Sequence, residues 1–112
     1  MESALLSLRV TVLGSGTSHG VPAIGCDCAV CRSTDPRDRR TRPSILIEFA
    51  SEGPQPPLAE AVRSILIDTS TDLRAQALAN NVRRIDAILF THGHADHVLG
   101  LDETRRYNSP AT

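Results

Sequence analysis

The chain has 112 residues, a length that fits one modest domain and excludes two full-sized ones. Its 40% hydrophobic and 22% charged residues are typical of a soluble globular protein, and a net charge of −1 gives no argument for a nucleic-acid or membrane partner. No apolar run reaches membrane-spanning length and no signal-peptide pattern opens the chain, so we expect a cytoplasmic protein.

Four segments along the chain have the character of β-strands. Residues 8–13 alternate polar and apolar side chains and are rich in β-branched residues, and residues 44–49 repeat this character. Residues 63–68 form an almost continuous Ile/Leu run, which predicts a strand covered on both faces. A fourth strand is predicted over residues 84–90. Together with the intervening helical segments, these strands predict an α/β fold with a mixed sheet.

Loops and helices are predicted between and after these strands. Residues 50–57 are rich in Pro and Gly and predict a loop, and residues 58–62 predict a turn of helix. Residues 71–81 combine a capping residue with strong helix formers. A short helix over residues 99–106 should be stopped by residues 107–110. The buried face of the longer helix is expected to carry Leu73, Ala77 and Leu78.

The glycine-rich stretch after the first strand does not fit a dinucleotide-binding loop. In residues 14–20 the third glycine comes one place late for G-x-G-x-x-G, and no helical pattern follows. His19 in this stretch is interpreted as an ordinary loop histidine. A run of arginines further along the chain is interpreted as a solvated loop. The alternative is that these arginines attract a phosphodiester, because guanidinium groups match phosphate oxygens. The arginines of this basic run are Arg37, Arg39, Arg40 and Arg42.

Three cysteines stand in a C-x-C-x-x-C pattern on a loop punctuated by Gly and Pro. They are Cys26, Cys28 and Cys31. Thiolates at such short separations can surround one tetrahedral zinc ion, whose fourth ligand must then be a distant residue, water or a group outside this chain. Crowded cysteines in a chain of this class indicate metal or redox chemistry rather than a disulfide framework. We therefore predict a structural zinc site.

The strongest chemical signal follows the fourth strand, where three of the four histidines and one aspartate fall within six residues. His92 and His94 alternate with a glycine, so both point to the same side of an extended segment and converge on one divalent ion. Asp96 and His97 follow at the start of a short helix and reach a second ion a few ångströms away. Zinc, manganese or iron suits this donor set. Asp96 and His97 are also the predicted catalytic residues.

The run from His92 to His97 reads H-x-H-x-D-H and resembles the signature of the metallo-β-lactamase superfamily. The resemblance implies a hydrolase with an αββα sandwich fold. It identifies residues 1–112 as the first half of a single such domain, a truncated N-terminal part with helices on the outer face of its sheet. It also implies that Asp68 supports the metal-binding loop without binding metal itself. Simple capping of the third strand is the alternative role for Asp68.

The glycine-rich loop and the cysteine cluster narrow this resemblance. Together they resemble the branch that contains the cyclic-phosphate phosphodiesterase of phosphonate breakdown, in which the cysteines hold a structural zinc with a histidine near the C-terminus. The resemblance implies a small phosphodiester substrate that is attacked by a hydroxide bridging two metal ions. Two alternatives stay open: a cofactor-biosynthesis protein of the pyrroloquinoline-quinone B type, and a non-catalytic metal-binding module.

Nothing after His97 supplies the later metal ligands of that superfamily, so we expect the 112 residues alone to be inactive. The inner face of the sheet, including the strands around residues 45–49 and 65–67, should lack its covering half. Exposed apolar area of this kind favours aggregation or a homo-oligomer.

Overall fold

A computed structural model of the chain describes residues 5–52 and 62–108. Its centre is a four-stranded sheet whose spatial order equals the order of the strands along the chain. The first strand pairs antiparallel with the second and the second with the third, whereas the third and fourth are parallel, so the predicted mixed sheet is confirmed. The strands are β1 (Leu5–Gly14), β2 (Ser44–Glu52), β3 (Arg63–Ile67) and β4 (Ala87–Leu89).

The first two strands are longer than predicted and the fourth is shorter. β1 and β2 pair from Leu5 opposite Glu52 to Gly14 opposite Ser44, so the predicted loop begins after β2 rather than at residue 50. The rest of that loop and most of the helical turn predicted over residues 58–62 lie outside the described residues. Each strand supplies the other with a backbone hydrogen-bonding partner, with one shift of register between Val12 and Gly14.

β4 begins only after Asp86, because this residue binds β3 with its side chain. Asp86 Oδ2 accepts a hydrogen bond from the Ser64 amide at 2.8 Å, and the Asp86 amide donates to the Ser64 carbonyl at 2.8 Å. Burial acts to raise the pKa of Asp86, but the Ser64 amide and the Arg84 guanidinium outweigh it, and the pKa is lowered. Asp86 therefore anchors the start of β4 as an ionised carboxylate.

The core lies on one face of the sheet. Its buried residues are Leu13, Leu46, Leu66 and Leu73, and Val82, Ile85 and Ile88 pack against them partly buried. The register places Leu46 opposite Leu66 and Leu66 opposite Ile88, so one face of three adjacent strands is apolar and covered. Covering is provided from α1 (Leu73–Ala79) and the segment after it, which confirms a helix on an outer face of the sheet.

The opposite face of the sheet is apolar and open over the described residues. Leu8 on β1 is 66% exposed, and Val10 and Val12 are also exposed. Ile65 and Ile67 on β3 are only half-buried, so the prediction that both faces of β3 are covered is wrong for this part of the chain. The strand is a continuous Ile/Leu run because both of its faces are apolar, but here only the Leu66 face has a covering layer.

α1 is shorter than the predicted residues 71–81, and its buried face differs from the prediction. Leu73 is buried as expected, but Leu78 is 65% exposed. Gln76 is buried in its place because Gln76 Nε2 donates to Thr41 Oγ1 and to the Arg42 carbonyl, each at 2.8 Å. The helix therefore faces the loop before β2 as well as the sheet, which hydrophobic periodicity does not reveal.

After β4 the chain forms three short helical segments instead of one helix that begins near Asp96 and continues to residue 106. They are α2 (Ala95–Val98), a 3-10 helix (Leu99–Thr104) and α3 (Arg105–Asn108). Tyr107 was predicted to help stop the helix but lies inside α3, where its hydroxyl donates to the Val82 carbonyl at 2.9 Å. Residues 109–112 lie outside the described part. Among the described helices, none is long and apolar enough to cross a membrane.

Candidate functional site

The parallel pairing of β3 and β4 brings their carboxyl ends to the same edge of the sheet. The Asp68 amide, directly after β3, donates to the Leu89 carbonyl at the end of β4 at 2.8 Å. Residues that follow the two strands therefore lie side by side although 21 positions separate Asp68 from Leu89 in the sequence (89 − 68). All candidate ligands of the H-x-H-x-D-H run leave the sheet at this edge.

Asp68 turns the chain sharply at the end of β3. Its φ of 66° lies in the left-handed region, which Asp tolerates better than most residues. The turn is held by Ser44 on β2, whose Oγ donates to the Asp68 carbonyl at 2.8 Å. A non-glycine residue held in this region by its surroundings is a feature that clusters at functional sites. The consequence here is that the Asp68 side chain points towards the segment after β4.

Thr69, directly after this turn, forms hydrogen bonds with the backbone of α2 and of the residues that follow it. The Thr69 amide donates to the His97 carbonyl at 2.8 Å, and Thr69 Oγ1 donates to the Val98 carbonyl at 2.9 Å. The Gly100 amide donates to the Thr69 carbonyl at 3.0 Å. A Cβ on Gly100 would lie 1.8 Å from the Ser70 carbonyl oxygen, so only glycine permits this approach. α2 is thereby fixed against the end of β3.

The carboxylate of Asp68 is the centre of a hydrogen-bond cluster. Asp68 Oδ1 accepts from the Thr91 amide at 2.8 Å, and Oδ2 accepts from Thr91 Oγ1 at 2.7 Å. His97 Nδ1 lies 2.7 Å from the same Oδ2, and only 6% of the Asp68 side chain is exposed. Burial acts to raise the pKa of Asp68, but the hydrogen bonds from His97 and Thr91 outweigh it, and the pKa is lowered.

The structure brings the predicted ligands His92, His94, Asp96 and His97 together. The His92 ring centroid lies 4.5 Å from that of His94 and 4.0 Å from that of His97. His97 Nε2 lies 3.1 Å from Asp96 Oδ2, and both of these side chains are 15% exposed. His94 is the residue before α2 and Asp96 lies in its first turn, as predicted for the start of a short helix.

The donor types of this cluster suit divalent metal ions, but no three of its four side chains have ligand atoms within 4.8 Å of one another. The side chains would therefore have to move closer together to share an ion. Asp68 occupies the Nδ1 side of His97 and leaves Nε2 directed at the cluster, which is how a carboxylate behind a metal-ligating histidine usually orients it. Imidazole and carboxylate together suit zinc, manganese or iron. The division of the ligands into His92 with His94 and Asp96 with His97 stays a prediction, as do the catalytic roles of Asp96 and His97.

The three cysteines also converge. One Sγ from each of Cys26, Cys28 and Cys31 lies within 4.8 Å of the others. Because Zn–S bonds are about 2.3 Å, a tetrahedral zinc ion would separate its sulfur atoms by about 3.8 Å, so a small contraction would suffice. Among the described residues, no fourth His, Cys, Asp or Glu joins this group. A structural zinc here stays a prediction.

Hydrogen bonds give the thiols unequal acidities. The Cys31 amide donates to Cys28 Sγ at 3.4 Å, and this bond, with contributions from the other two thiols, lowers the pKa of Cys28 to about 7. The Ala23 amide donates to Cys31 Sγ at 3.3 Å and lowers its pKa, but the neighbouring thiols and burial outweigh it and raise the pKa of Cys31. A low-pKa thiol in an exposed cluster is suited to binding a metal as thiolate.

Most of the basic run has partners within the fold. The Arg42 amide and Nη2 each donate to the Asp72 carboxylate at 2.9 Å, and Arg42 Nε lies 2.8 Å from Asp72 Oδ2 without the alignment of a hydrogen bond. Arg37 pairs with Asp35 at 2.8 Å. Arg40 Nη1 donates to Ser15 at 3.0 Å, and Arg39 is exposed. Arg37, Arg39 and Arg40 are exposed, as the interpretation of a solvated loop predicts, whereas Arg42 is partly buried against Asp72. His19 is an exposed loop residue as well.

The glycine-rich loop after β1 packs against this run. A Cβ on Gly14 would lie 2.0 Å from the Arg42 carbonyl oxygen, and one on Gly16 would lie 2.6 Å from the Arg40 carbonyl oxygen. The Gly16 amide donates to the Thr41 carbonyl at 2.7 Å. These glycines serve a close backbone approach, which agrees with the rejection of a dinucleotide site.

Sequence reasoning missed three residues that support the candidate site: Thr91, Ser44 and Gly100. The position of Thr91 directly before His92 was the only local signal, since a hydroxyl there can bind a neighbouring side chain. Ser44 and Gly100 act on residues that are distant in sequence, and their own surroundings carry no sign of this role.

Comparison with known proteins gives a family and several relatives. Residues 63–112 match the model of a beta-lactamase superfamily domain. A crystal structure of a new diphosphatase from the PhnP family is 52% identical, with a TM-score of 0.78 over 93% of this chain and 37% of its own. The zinc-bound PqqB structure from Methylobacterium extorquens is 32% identical, with a TM-score of 0.65 over 86% of this chain and 36% of its own.

Among curated proteins, an octanoyltransferase from Porphyromonas gingivalis is 50% identical over 98 residues, which are 88% of this chain and 18% of that protein. The coenzyme PQQ synthesis protein B of Methylorubrum extorquens is 33% identical over 94% of this chain and 36% of its own length. The chain thus spans between about a fifth and two-fifths of the length of the relatives that it matches.

Proposed function

The chain is a metallo-β-lactamase-fold protein, and on that premise we propose that it forms part of a metal-dependent hydrolase that cleaves phosphoric esters. The observation that carries this proposal is a set of pairwise contacts among three imidazoles and a carboxylate in the segment that follows β4. Asp68 lies directly behind one of these imidazoles and binds its Nδ1. Paired divalent ions would stabilise both the attacking and the leaving oxygen when a phosphoric ester is hydrolysed.

We assign each side chain of the cluster a role. His92 and His94 would hold one ion, and Asp96 and His97 would hold the second. Divalent ions at these positions supply the Lewis acidity that makes water nucleophilic at neutral pH. Asp96 would also accept a proton from the attacking water. Asp68 keeps the His97 ring in the orientation that presents Nε2.

The proposed substrate is a small cyclic phosphodiester. Cleavage at phosphorus is supported by the diphosphatase of the PhnP family. That protein is 52% identical to this chain over 93% of this chain's length. That protein is named for a diphosphate, so a phosphoanhydride linkage is the nearest competing substrate. Hydrolysis of either substrate breaks a P–O bond, and the same ligand set serves both reactions.

The cysteine cluster is proposed to hold a structural zinc ion in the same protein. The sulfur separations and the lowered pKa of Cys28, to about 7, support thiolate binding. This ion has no role in the hydrolytic step. Its function is to fix the exposed loop that contains Cys26, Cys28 and Cys31.

The test compares two histidine variants in the full-length protein. His94→Ala should abolish metal-dependent hydrolysis of bis(p-nitrophenyl) phosphate, whereas His19→Ala, which removes an exposed histidine outside the cluster, should not. Elemental analysis should show loss of metal from His94→Ala while the cysteine-bound zinc is retained. Equal activity of the two variants would refute the proposal.

Cyclic phosphodiester and diphosphate substrates should then be compared by kcat/KM in the wild-type protein, because the larger value identifies the linkage that the site is built to cleave. A clear preference for the diphosphate would overturn the proposed substrate while leaving the proposed hydrolase class intact.

A coenzyme-synthesis role is the second candidate. It is favoured by the 33% identity to the PQQ synthesis protein B over 94% of this chain. Such a protein would keep the metal ligands without phosphodiester hydrolysis. A wild-type protein that is fully loaded with metal and inactive on both phosphorus substrates would favour this candidate over the first.

A further inference from the structure

We infer that Thr91 is a positioning residue that fixes the tautomer of His92, so that His92 and His97 both present Nε2 to the metal centre. The inference rests on the proposed metal binding and deepens it, because it adds a hydroxyl that lies outside the H-x-H-x-D-H ligand set. It concerns the protonation pattern of the protein before any metal binds.

The geometry is a chain of three short contacts, two of which meet at one carboxylate oxygen of Asp68. Thr91 Oγ1 lies 2.7 Å from Asp68 Oδ2 and 2.9 Å from His92 Nδ1. His97 Nδ1 lies 2.7 Å from the same Asp68 Oδ2. The backbone holds this arrangement from the other side, since the Thr91 amide donates to Asp68 Oδ1 at 2.8 Å.

The number of hydrogens on each group decides which atom donates and which accepts in each of these hydrogen bonds. An ionised carboxylate only accepts hydrogen bonds, and a hydroxyl has one hydrogen to donate. The Thr91 hydrogen therefore goes to Asp68, and Thr91 Oγ1 is left to accept from His92. For that contact to be a hydrogen bond, His92 must carry its hydrogen on Nδ1. Its Nε2 then has the free lone pair that a metal ion needs.

The same oxygen sets the tautomer of the second ring. His97 Nδ1 donates to Asp68 Oδ2, so the lone pair of neutral His97 is also on Nε2. Asp68 thus orients His97 directly and His92 through Thr91. One buried carboxylate therefore serves two imidazoles, and the Thr91 hydroxyl is the link that His92 requires.

Removal of the hydroxyl should weaken metal binding without removing a ligand. A neutral imidazole with no partner on Nδ1 populates both tautomers, and only one of them offers Nε2. The apparent metal affinity falls in proportion to the fraction of His92 rings that have a free lone pair on Nε2. A ring that is no longer held in one orientation weakens metal binding further. Loss of a partner behind a ligating histidine costs roughly 10–100-fold in metal affinity, and we expect Thr91→Val to fall in that range.

The decisive measurement is the tautomeric state of the histidines in the metal-free, full-length protein. Long-range ¹H–¹⁵N correlation spectra distinguish a protonated ring nitrogen from one with a free lone pair. We expect His92 in the wild-type protein to be protonated on Nδ1. Thr91→Val, which keeps the side-chain shape, should give a mixture at His92, whereas Thr91→Ser, which restores the hydroxyl, should restore the wild-type pattern. His97 should be unchanged in both variants because Asp68 is retained.

A competition titration with a zinc chelator provides the second readout. Thr91→Val should bind zinc roughly 10–100-fold more weakly than the wild type, and Thr91→Ser should be close to the wild type. The inference is overturned if wild-type His92 carries its hydrogen on Nε2, a result that needs no variant to fold. It is also overturned if Thr91→Val and wild type share one tautomer. Absence of zinc binding in the wild type would instead refute the proposed function and leave the tautomer result standing.

Discussion

Replacement of Asp68 by Asn tests whether this carboxylate holds the candidate site together. Asn has nearly the same volume and also tolerates the φ of 66° found at this position, so the backbone turn should survive. The change removes the negative charge and replaces one accepting oxygen with an amide group that donates. If that group takes the place of Oδ2, it faces Thr91 Oγ1 and His97 Nδ1, which are both 2.7 Å from Oδ2 in the wild type.

The expected loss of stability follows from these contacts. Hydrogen bonds to a charged group contribute about 1.5–3 kcal/mol each. The bond from the Thr91 amide can be kept by the remaining oxygen, whereas the two contacts to Oδ2 are lost or reversed. The two share one oxygen and are therefore not additive, so we expect Asp68→Asn to lower the free energy of unfolding by about 3 kcal/mol.

The assay is urea denaturation of the metal-free, full-length protein. The urea concentration at the midpoint of unfolding should fall, while the slope of the free energy of unfolding against urea concentration stays constant. Asp102→Asn is the matched control, because the Asp102 side chain is 82% exposed and pairs with Arg105 at the surface. That exposed pair should contribute about 0.5 kcal/mol or less. A loss at Asp68→Asn no larger than that of the control would refute the structural role assigned to Asp68.

Three further predictions use other parts of the structure. Gly100→Ala should lower the thermal midpoint strongly, because its Cβ would meet the Ser70 carbonyl oxygen at 1.8 Å, whereas Gly93→Ala, with nothing within 4 Å of its Cβ, should melt like the wild type. Asp86 has a lowered pKa in the folded chain, so its contribution to stability is present above the unfolded pKa of about 4 and is lost as the pH falls below it. Asp86→Asn should flatten this acid-side loss in urea titrations at several pH values, and an unchanged profile would contradict the assignment. In metal-free protein, the rate of alkylation of Cys28 should rise with pH with a midpoint near pH 7, and that of Cys31 should rise at higher pH. Mass spectrometry of the labelled peptides measures both rates. Simultaneous labelling of both would contradict the unequal acidities.

Local patterns determined which chemistry the chain can perform. The alternation of His92, Gly93 and His94 needs only an extended backbone to place two imidazoles on one side, and the structure has them together. The cysteines converge because C-x-C-x-x-C allows little separation. Strand character was equally readable, since β-branched and apolar runs mark all four strands. These features depend on neighbours within a few residues, which is the range over which sequence spacing constrains geometry.

Only the tertiary structure decided how these local pieces support one another. The parallel register of β3 and β4 places Asp68 against Thr91 and His97. Ser44 on β2 holds the turn at Asp68. Gln76 instead of Leu78 faces inwards because a loop far away in the sequence offers it hydrogen-bond partners. Backbone pairing joins residues without regard to their distance along the chain, and no pattern within one segment records the partner that another segment will supply.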